Sequence, residues 1–274
     1  MSELTASVIG LGFVGGAMYK SFQMKNVNVL GYDKFKENTN TLEECLKTNI
    51  MFLCLPTVYD NDSRQYDKSC IIETLEILQE NNYQGIIVNK STVEPETDKN
   101  LVSQFPLLKI VHNPEFLTAK TAFEDFHNQS HIVLGITENV NSDDVNLLKN
   151  FYSQLYPNAE ISICDSTESE SMKLFCNCFY AVKVQFFNEL YLICQKNNCD
   201  YNRVVELMLK NNWINPMHTR VPGPDGQLSY GGYCFPKDTN ALLQHMINKD
   251  SPHNVLKAVI NERNSMRNDN TNCK

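Results

Sequence analysis

The chain has 274 residues, of which 42% are hydrophobic and 20% are charged, a balance typical of a globular protein. Its 32 acidic and 24 basic side chains give a formal net charge of −8, which disfavours nonspecific binding to nucleic acid or to an anionic membrane surface. Apolar runs are shorter than the roughly 20 residues that span a bilayer, and the start, MSELTASVIG, lacks the basic and apolar regions of a signal peptide.

The first predicted elements are a strand, a glycine turn and a helix. Residues 6–16 have the sequence ASVIGLGFVGG, and a helical pattern follows. The spacing G-x-G-x-x-G between a strand and a helix is the dinucleotide-binding fingerprint, because glycines let the backbone approach a pyrophosphate and the helix N-terminus offers N–H groups. The turn residues predicted to bind the cofactor are Gly10, Gly12, Phe13, Val14 and Gly15.

A second apolar run, VNVLGYD, ends in Asp33, eighteen residues after Gly15. An aspartate at this place accepts hydrogen bonds from a ribose 2′-hydroxyl and repels a 2′-phosphate, which favours NAD over NADP. The adjacent Lys34 weakens that preference and is itself a candidate cofactor contact. The alternative interpretation is a glycine turn in an α/β protein that binds no nucleotide.

Strand-like apolar runs then alternate with helical patterns as far as residue 165. Such alternation predicts an α/β fold, a Rossmann-type, mostly parallel, doubly wound sheet, with an NAD-binding domain over residues 1–166. The further predicted strands cover residues 49–57, 84–92, 108–116, 131–137 and 159–165. The predicted helices between them cover residues 67–82, 95–105 and 142–155.

The carboxyl ends of parallel strands meet at one edge of a sheet, where ligands of doubly wound folds bind. Pro56 and Thr57 follow one predicted strand and are candidate cofactor contacts. Thr92 follows the next strand, and Glu115 follows the one after that, within NPEFL. We expect these polar groups to surround a bound cofactor and its substrate.

From residue 166 onward the strand pattern stops. Residues 167–197 predict one long helix, which is apolar around most of its circumference and should be buried on several sides. A helix of this kind commonly joins two lobes and offers a dimer surface. Further helices are predicted at 201–210, 238–248 and 252–266, which makes 167–274 a small all-α domain. The tail NDNTNCK is expected to be disordered.

Two groups of residues in this half suggest chemistry. Lys173 and Asn177 stand four residues apart on one stripe of the long helix, although an isolated pair of this kind is more often exposed or bonded to a neighbouring loop. The stretch YGGYCFPKD places Cys234 a few residues before a predicted helix, with Lys237 and Asp238 close by. A helix N-terminus and a lysine both favour a thiolate, so Cys234 is either a nucleophile or a buried structural thiol.

A nucleophilic thiol beside a nicotinamide cofactor has a specific use. An alcohol that is oxidised once gives an aldehyde, which a thiolate attacks to form a thiohemiacetal. A second hydride transfer gives a thioester, and water releases a carboxylate. The thiol therefore permits two successive oxidations without release of the aldehyde.

The chain has ten cysteines, most of them within apolar patterns such as IMFLCLP and YLICQK. We expect a reducing cytoplasm and buried thiols that act as small hydrophobes. Cys176 and Cys178 form a C-x-C pair that no second pair at zinc spacing accompanies, so no metal site is predicted.

Taken together, these stretches resemble the UDP-glucose/GDP-mannose dehydrogenase family, which oxidises the C6 alcohol of nucleotide sugars to uronates. The matching stretches follow the family's order from residue 7 to about residue 266. They are VIGLGFVG, FLCLPT, KSTV, NPEFL with AFEDF, KLFCNCFYAVKVQFFNE, and RVPGPDGQLSYGGYCFPKD.

The resemblance implies a role for each candidate residue. Cys234 is the expected thioester-forming nucleophile. Lys173 and Asn177 are expected to donate hydrogen bonds to the developing oxyanion, and each well-placed donor stabilises it by about 3 kcal/mol. Asp238 is expected to position a water or relay a proton. The remaining implied roles are assistance of thioester hydrolysis by Glu115, orientation of a water by Thr92, and cofactor contacts by Thr92 and Lys237. It also implies NAD dependence, a nucleotide-sugar substrate such as UDP-glucose, and a homodimer through the 167–197 helix.

Two departures from the family pattern stand out. Many members carry an acidic residue where this chain has Ala119. Typical members also continue into a second α/β domain that binds the substrate nucleotide, whereas this sequence suggests a short form without it.

Two other functions stay open at this point. A β-hydroxyacid dehydrogenase shares the layout and a Lys/Asn pair on a long helix, but it performs one oxidation and has no use for Cys234. A cofactor-binding subunit without turnover is the third hypothesis.

Overall fold

The computed structural model of the chain describes residues 4–118, 120–267 and 269. The described residues fall into two compact units, one within Met1–Thr57 and Asp67–Lys173, the other within Val58–Tyr66 and Leu174–Lys274. The predicted domain boundary, between residues 166 and 167, lies at the start of the long helix and stays a prediction. Ala119 and, apart from Asp269, the tail 268–274 lie outside the described residues.

A seven-stranded sheet forms the centre of the first unit. Its strands are β1 (Thr5–Ile9), β2 (Asn28–Tyr32), β3 (Ile50–Leu53), β6 (Ile86–Asn89), β7 (Lys109–His112), β8 (His131–Ile136) and β9 (Glu160–Asp165). The strand order is β2-β1-β3-β6-β7-β8-β9, and neighbouring strands are parallel except for β7 with β8. The prediction of a mostly parallel Rossmann-type sheet is therefore confirmed.

Helices cover both faces of this sheet. They are α1 (Phe13–Met24), α2 (Leu42–Cys45), α3 (Ser69–Glu80), α4 (Thr97–Gln104), α5 (Ala122–His127) and α6 (Ser142–Leu155). Side chains of a strand alternate between faces, so β3 sends Ile50 and Phe52 to one hydrophobic cluster and Met51 and Leu53 to another. The first cluster includes residues of α1, α5 and α6, and the second includes residues of α3 and α4.

The second unit consists mainly of helices. They are the greater part of α7 (Ser166–Lys196), α8 (Tyr201–Leu209), α9 (Cys234–Asn248) and α10 (Asn254–Met266). A two-stranded antiparallel hairpin, β4 (Tyr59–Asp60) with β5 (Gln65–Tyr66), packs with them. Tyr66 contributes to the same cluster as Leu174, Leu242 and Ile260, which anchors the hairpin to this unit although it is inserted between strands of the sheet.

α7 is buried on several sides, as the sequence predicts, through residues such as Leu174, Ala181 and Phe187, and one of its faces remains exposed. Four large apolar side chains are between 47% and 63% exposed, namely Phe175, Phe179, Phe186 and Ile193. At 100° per residue they fall within about 40° of arc, so they form a continuous stripe. We refer to these four residues as the α7 stripe.

The cysteines are less buried than the sequence suggests. Of the described cysteines, only Cys45, Cys178 and Cys194 are buried, and Cys199 and Cys234 are exposed. The expectation of mostly buried thiols was therefore wrong, because several of the apolar patterns lie at element ends or on the outer faces of helices. In the described part of the chain, no His, Cys, Asp or Glu cluster suited to a metal ion occurs. Nor does any helix there combine the length and apolar composition needed to cross a bilayer.

Candidate active site

The glycine turn between β1 and α1 has the geometry that its sequence predicts. Gly10 has φ +86°, and a Cβ there would lie 2.6 Å from the Cys54 carbonyl oxygen. A Cβ on Gly15 would lie 1.9 Å from the Gly10 carbonyl oxygen, so only glycine lets α1 approach the turn. Gly12, the residue before α1, is exposed, and a Cβ there would meet no atom within 4 Å. The turn therefore offers open backbone N–H groups at a helix N-terminus, a cradle that fits a pyrophosphate.

Asp33, at the end of β2, is tied to this turn. Its Oδ2 accepts from the Leu11 N–H at 2.8 Å, and its Oδ1 accepts from the Phe35 N–H at 3.0 Å. The carboxylate therefore lies at the edge of the cradle, where the βαβ fingerprint requires the ribose acceptor.

Lys34, the predicted cofactor contact beside Asp33, has an acidic partner on α3. Lys34 forms a 3.7 Å ion pair with Glu73, and both side chains are more than half exposed. Lys36, which sequence reasoning missed, donates to the Leu11 carbonyl oxygen at 2.6 Å. The backbone turns at residues 33–36, and this turn brings Lys36 back to the glycine turn.

The loops after β3 and β6 are bonded together at the same edge. Thr57 is buried and its hydroxyl donates to the Thr92 carbonyl oxygen at 2.7 Å. The Ser91 hydroxyl donates to the Leu55 carbonyl oxygen at 2.7 Å. Pro56, in the loop after β3, is exposed, and Thr92, in the loop after β6, is half-buried. These bonds fix the rim on which Pro56, Thr57 and Thr92 were predicted as ligand contacts.

Glu115 and Lys173 meet within the first unit. The Lys173 Nζ donates to the Glu115 backbone oxygen and lies 3.4 Å from its Oε1. Their side chains are 6% and 14% exposed, so this ion pair is largely shielded from water. The Lys173 ammonium also lies over the Phe116 ring, 5.3 Å from its centroid. An ammonium held this way is a fixed donor and a fixed positive charge.

A second buried lysine, which sequence reasoning missed, supports the same loop. Lys90 is 3% exposed and donates to Asn113 Oδ1 at 2.9 Å. Burial lowers its pKa to about 8, although Cys54 and Glu115 act in the opposite direction. Lys90 is the first residue of the KSTV stretch, but the sequence of that stretch does not show that the lysine side chain is buried.

A buried pair of carboxyl groups anchors the start of α7. Both oxygens of Glu170 accept from backbone N–H groups at the start of α4, those of Glu96 and Asp98, at 2.7 Å each. Asp98 accepts from Asn89 at 2.7 Å, and its other oxygen is buried and has no hydrogen-bond partner among the described residues. Burial raises the pKa of Asp98 to about 7 and, with the Asp98 charge, that of Glu170 to about 9. The pair therefore retains a proton at neutral pH.

This pair makes stability pH-dependent with a defined sign. Because the folded-state pKa of Asp98 lies above its ordinary value of 3.8, its favourable contribution is complete below that value and is lost as pH rises to about 7. We expect the free energy of unfolding to fall across this window by up to about 1.4 kcal/mol per pH unit for each of the two carboxyl groups, because the pKa of Glu170 is raised as well. Asp98→Asn should remove the share of Asp98 and reduce that of Glu170, whose pKa the Asp98 charge helps to raise. Urea titrations at several pH values measure this fall. The exposed Asp143→Asn is the control, and parallel curves for Asp98→Asn and the original chain would contradict the expectation.

Asp238 is the centre of the polar cluster in the second unit. It is fully buried in the second turn of α9 and accepts three hydrogen bonds. Tyr66 donates to Oδ1 at 2.5 Å, Lys237 to Oδ1 at 2.6 Å, and Asn177 to Oδ2 at 2.6 Å. A buried carboxylate needs such partners, so these contacts hold it in one orientation.

Lys237 and Tyr66 complete this cluster. Burial works against the charge of Lys237, but the Asp238 carboxylate more than offsets it, so the pKa of Lys237 is raised. Its ammonium also lies 4.5 Å from the centroid of the Tyr66 ring. Lys237 was predicted as a cofactor contact; its ammonium interacts with Asp238, with the Tyr66 ring and, electrostatically, with Cys234. Tyr66 was missed because its hairpin precedes Asp238 by 172 residues.

Cys234 is the first residue of α9, four residues earlier than the predicted helix start. Its side chain is exposed, which excludes the alternative of a buried structural thiol. Pro236 is accommodated in the first turn because the N–H groups there have no partner within the helix, so the helix starts before the proline. In this position the helix N-terminus stabilises a thiolate.

The structure thus brings predicted residues together in four groups. Asp33 bonds to the glycine turn, Thr57 bonds to Thr92, Glu115 pairs with Lys173, and Asp238 binds Asn177 and Lys237 one helical turn after Cys234. The Lys34 ammonium pairs with Glu73.

Family models match most of the chain. Residues 32–156 match the UDP-glucose/GDP-mannose dehydrogenase family, NAD binding domain, and residues 167–265 match the central domain of the same family. The chain belongs to this family. It contains the family's NAD-binding domain, and the glycine cradle and Asp33 fit that cofactor.

Individual proteins agree with this assignment. The chain is similar to a UDP-glucose 6-dehydrogenase of Campylobacter jejuni, with 29% identity over 251 residues that cover 91% of the chain and 60% of that protein. It therefore spans less than two thirds of this relative. A UDP-glucose dehydrogenase structure from Pyrobaculum islandicum shares the fold, with TM-score 0.83, 23% identity, and coverage of 96% and 68%. A 3-hydroxyisobutyrate dehydrogenase structure from Mycobacterium tuberculosis also shares the fold, with TM-score 0.74, 11% identity, and coverage of 94% and 91%.

Proposed function

We propose that the chain carries out the NAD-dependent oxidation of the C6 alcohol of a nucleotide sugar, UDP-glucose foremost, to the uronate. The observation that carries the proposal is the Asp238 cluster. Asp238 lies one helical turn after the exposed Cys234 thiol at the start of α9, and it accepts hydrogen bonds from Asn177 and Lys237. A single oxidation of an alcohol would need no such thiol. Family membership and the NAD-binding domain support the same reaction.

In this proposal each residue has one task. When bound at the glycine turn, NAD would supply the hydride acceptor, and one molecule would be needed for each of the two oxidations. The Cys234 sulfur forms a bond to the aldehyde carbon, and donors on Lys173 and Asn177 stabilise the oxygen that becomes negative. After the second oxidation the carbon is a thioester. A water adds to it, the carbon–sulfur bond breaks, and the thiolate returns.

The carboxylates serve the hydrolytic step. Asp238, fixed by three donors, positions a water or relays its proton, and Glu115 assists from the loop that Lys173 holds. Thr92 orients a water from the rim. These roles follow the family resemblance, and the burial of Asp238 and of the Glu115–Lys173 pair supports them because both carboxylates are preorganised.

A panel of substrates tests the proposal. UDP-glucose, GDP-mannose, UDP-N-acetyl sugars and unlinked sugar phosphates are each incubated with the chain and NAD, and NADH release and acid formation are measured. The proposal predicts a carboxylic acid from at least one nucleotide sugar. NADH with a carbonyl product and no acid would favour the β-hydroxyacid-type dehydrogenase, and NAD binding without turnover on any substrate would favour the non-catalytic subunit.

We further propose that two copies of the chain associate through the α7 stripe. Its four exposed apolar side chains form one narrow band, which matches the helical surface that the sequence predicted for a homodimer. Burial of such a band is favourable at about 25 cal/mol per Å² of apolar surface.

Phe179→Glu is expected to weaken this association because it places a charge on the most exposed member of the stripe, which is 63% exposed. Sedimentation velocity over a concentration series should show a dimer for the original chain and a shift towards monomer for the variant. Leu207→Glu, on the half-exposed face of α8, is the control. Equal sedimentation of all three chains would contradict this interface.

A further inference from the structure

The segment that leads into Cys234 is held by its main-chain carbonyl groups. The carbonyl oxygens of three consecutive residues, Leu228, Ser229 and Tyr230, accept hydrogen bonds from two arginines. Both arginines come from the end of α10, Arg263 from its last turn and Arg267 from its C-cap. Both are almost fully buried, at 3% and 6% exposure.

Arg267 spreads its donors over several acceptors. Its Nη1 donates to the Leu228 and Ser229 carbonyl oxygens at 3.1 Å and 3.3 Å. Its Nη2 donates to Asp225 at 2.6 Å, and its Nε donates to Asp269 at 2.8 Å. The two carboxylates compensate the buried charge, which leaves the guanidinium plane directed at the main chain.

Arg263 extends the same contact by one residue. Its Nε donates to the Tyr230 carbonyl oxygen at 3.1 Å, and its guanidinium lies 5.7 Å from the centroid of the Tyr230 ring. Its Nη2 donates to Asp269, so Asp269 links the two arginines. We refer to Arg263, Arg267 and Asp269 as the arginine clamp.

The packing at Gly231 shows how closely the clamp fits. A Cβ on Gly231 would lie 2.3 Å from Arg267 Nη2, so the main chain passes directly against the guanidinium. On the other side, the Ser229 N–H donates to Asn188 Oδ1 of α7 at 2.8 Å, and Ser229 itself has φ +57°. The segment is therefore fixed from two helices, three residues before the thiol.

We propose that Arg263 and Arg267 are positioning residues for the Cys234 thiol. By fixing the carbonyl groups of residues 228–230, they set the point at which the chain enters α9 and keep the sulfur at that helix's N-terminus. Apolar side chains would fill the same space without a desolvation cost, whereas arginines fix a backbone path through directed bonds. The consequence for turnover rests on the proposed function, but the effect on the thiol does not.

Alkylation of the thiols tests the positioning directly. Arg267→Met and Arg267→Lys are compared with the original chain and with Arg203→Met, a control whose exposed arginine pairs with Glu206 on α8. Each is treated with iodoacetamide over a pH series, and mass spectrometry gives separate rates for Cys234 and for the exposed Cys199. Because a displaced thiol loses the stabilisation of the helix N-terminus, Arg267→Met should lower the Cys234 rate at pH 7 by ~10-fold and move its pH midpoint upward. The Cys199 rate should not change.

Steady-state kinetics provide the second readout. Arg267→Met should lower kcat by ~100-fold with little change in the KM for NAD, since misplacement by about 1 Å has an effect of that size. Arg267→Lys keeps the charge, so its kcat should lie between that of Arg267→Met and that of the original chain. If Arg267→Met does not fold, Asp225→Asn, which removes one acceptor at a side chain 43% exposed, gives a smaller change in the same direction.

The outcomes separate this proposal from the proposed function. An unchanged Cys234 alkylation profile in folded Arg267→Met and Asp225→Asn would overturn the positioning role, whatever the activity. A shifted profile in a chain that forms no acid from any nucleotide sugar would support the clamp and count against the proposed function instead. A thiol shift together with a kcat loss would support both.

Discussion

Replacing Cys234 with serine is expected to lower the rate of acid formation by at least ~1000-fold while leaving the affinity for NAD unchanged. A serine hydroxyl is not ionised by a helix N-terminus, so no covalent adduct forms and the second oxidation stops. The cofactor cradle of Gly10, Gly12 and Asp33 belongs to the first unit, and Cys234 belongs to the second. Acid formation is measured by chromatography and NAD binding by calorimetry.

Cys199→Ser is the matched control, because Cys199 is the other exposed cysteine of the described residues. Cys199→Ser should keep both acid formation and NAD binding. Loss of NAD binding in Cys234→Ser would count against the assignment of separate cofactor and thiol sites, and undiminished acid formation would remove the nucleophile from the mechanism.

Replacing Asp238 with alanine is expected to lower the free energy of unfolding by about 3–5 kcal/mol and to abolish acid formation. The substitution leaves the buried Lys237 ammonium without its carboxylate and leaves Tyr66 and Asn177 without their acceptor. Asp238→Asn should be milder for stability, since one amide oxygen can still accept from Tyr66 or Lys237. It should nonetheless reduce hydrolysis, because an amide cannot relay a proton.

Urea unfolding and product analysis measure both effects. Asp62→Ala, in the exposed turn of the β4–β5 hairpin, is the control and should change neither. A loss below about 1 kcal/mol for Asp238→Ala would mean that the three hydrogen bonds do not hold a buried charge pair.

Much of the first unit could be predicted from the sequence because its signals are local. The glycine spacing fixes a turn that only residues without a Cβ permit at Gly10 and Gly15. The predicted helix 142–155 is observed with those bounds, since Asn141 caps it and Asp144 completes a capping box. The two-residue strands of the hairpin and the four-residue α2 were missed because elements this short show no periodicity.

The partners of the site residues could not be predicted in the same way. Lys36, Lys90 and Tyr66 acquire their contacts through tertiary structure, and neither composition nor spacing marks them. α9 starts at Cys234, four residues before the predicted start at 238, and Pro236 is compatible with this because a proline is tolerated in the first turn of a helix. That displacement matters, since it decides whether the thiol stands before the helix or on its first turn.

In the proposed reaction, one thiol allows two oxidations of the same carbon. The most direct measurement is the ratio of NADH released to acid formed, with a nucleotide sugar as limiting substrate. Two NADH for each acid, with no aldehyde in solution, is the predicted result. One NADH for each substrate consumed, with a carbonyl compound as the product, would contradict it.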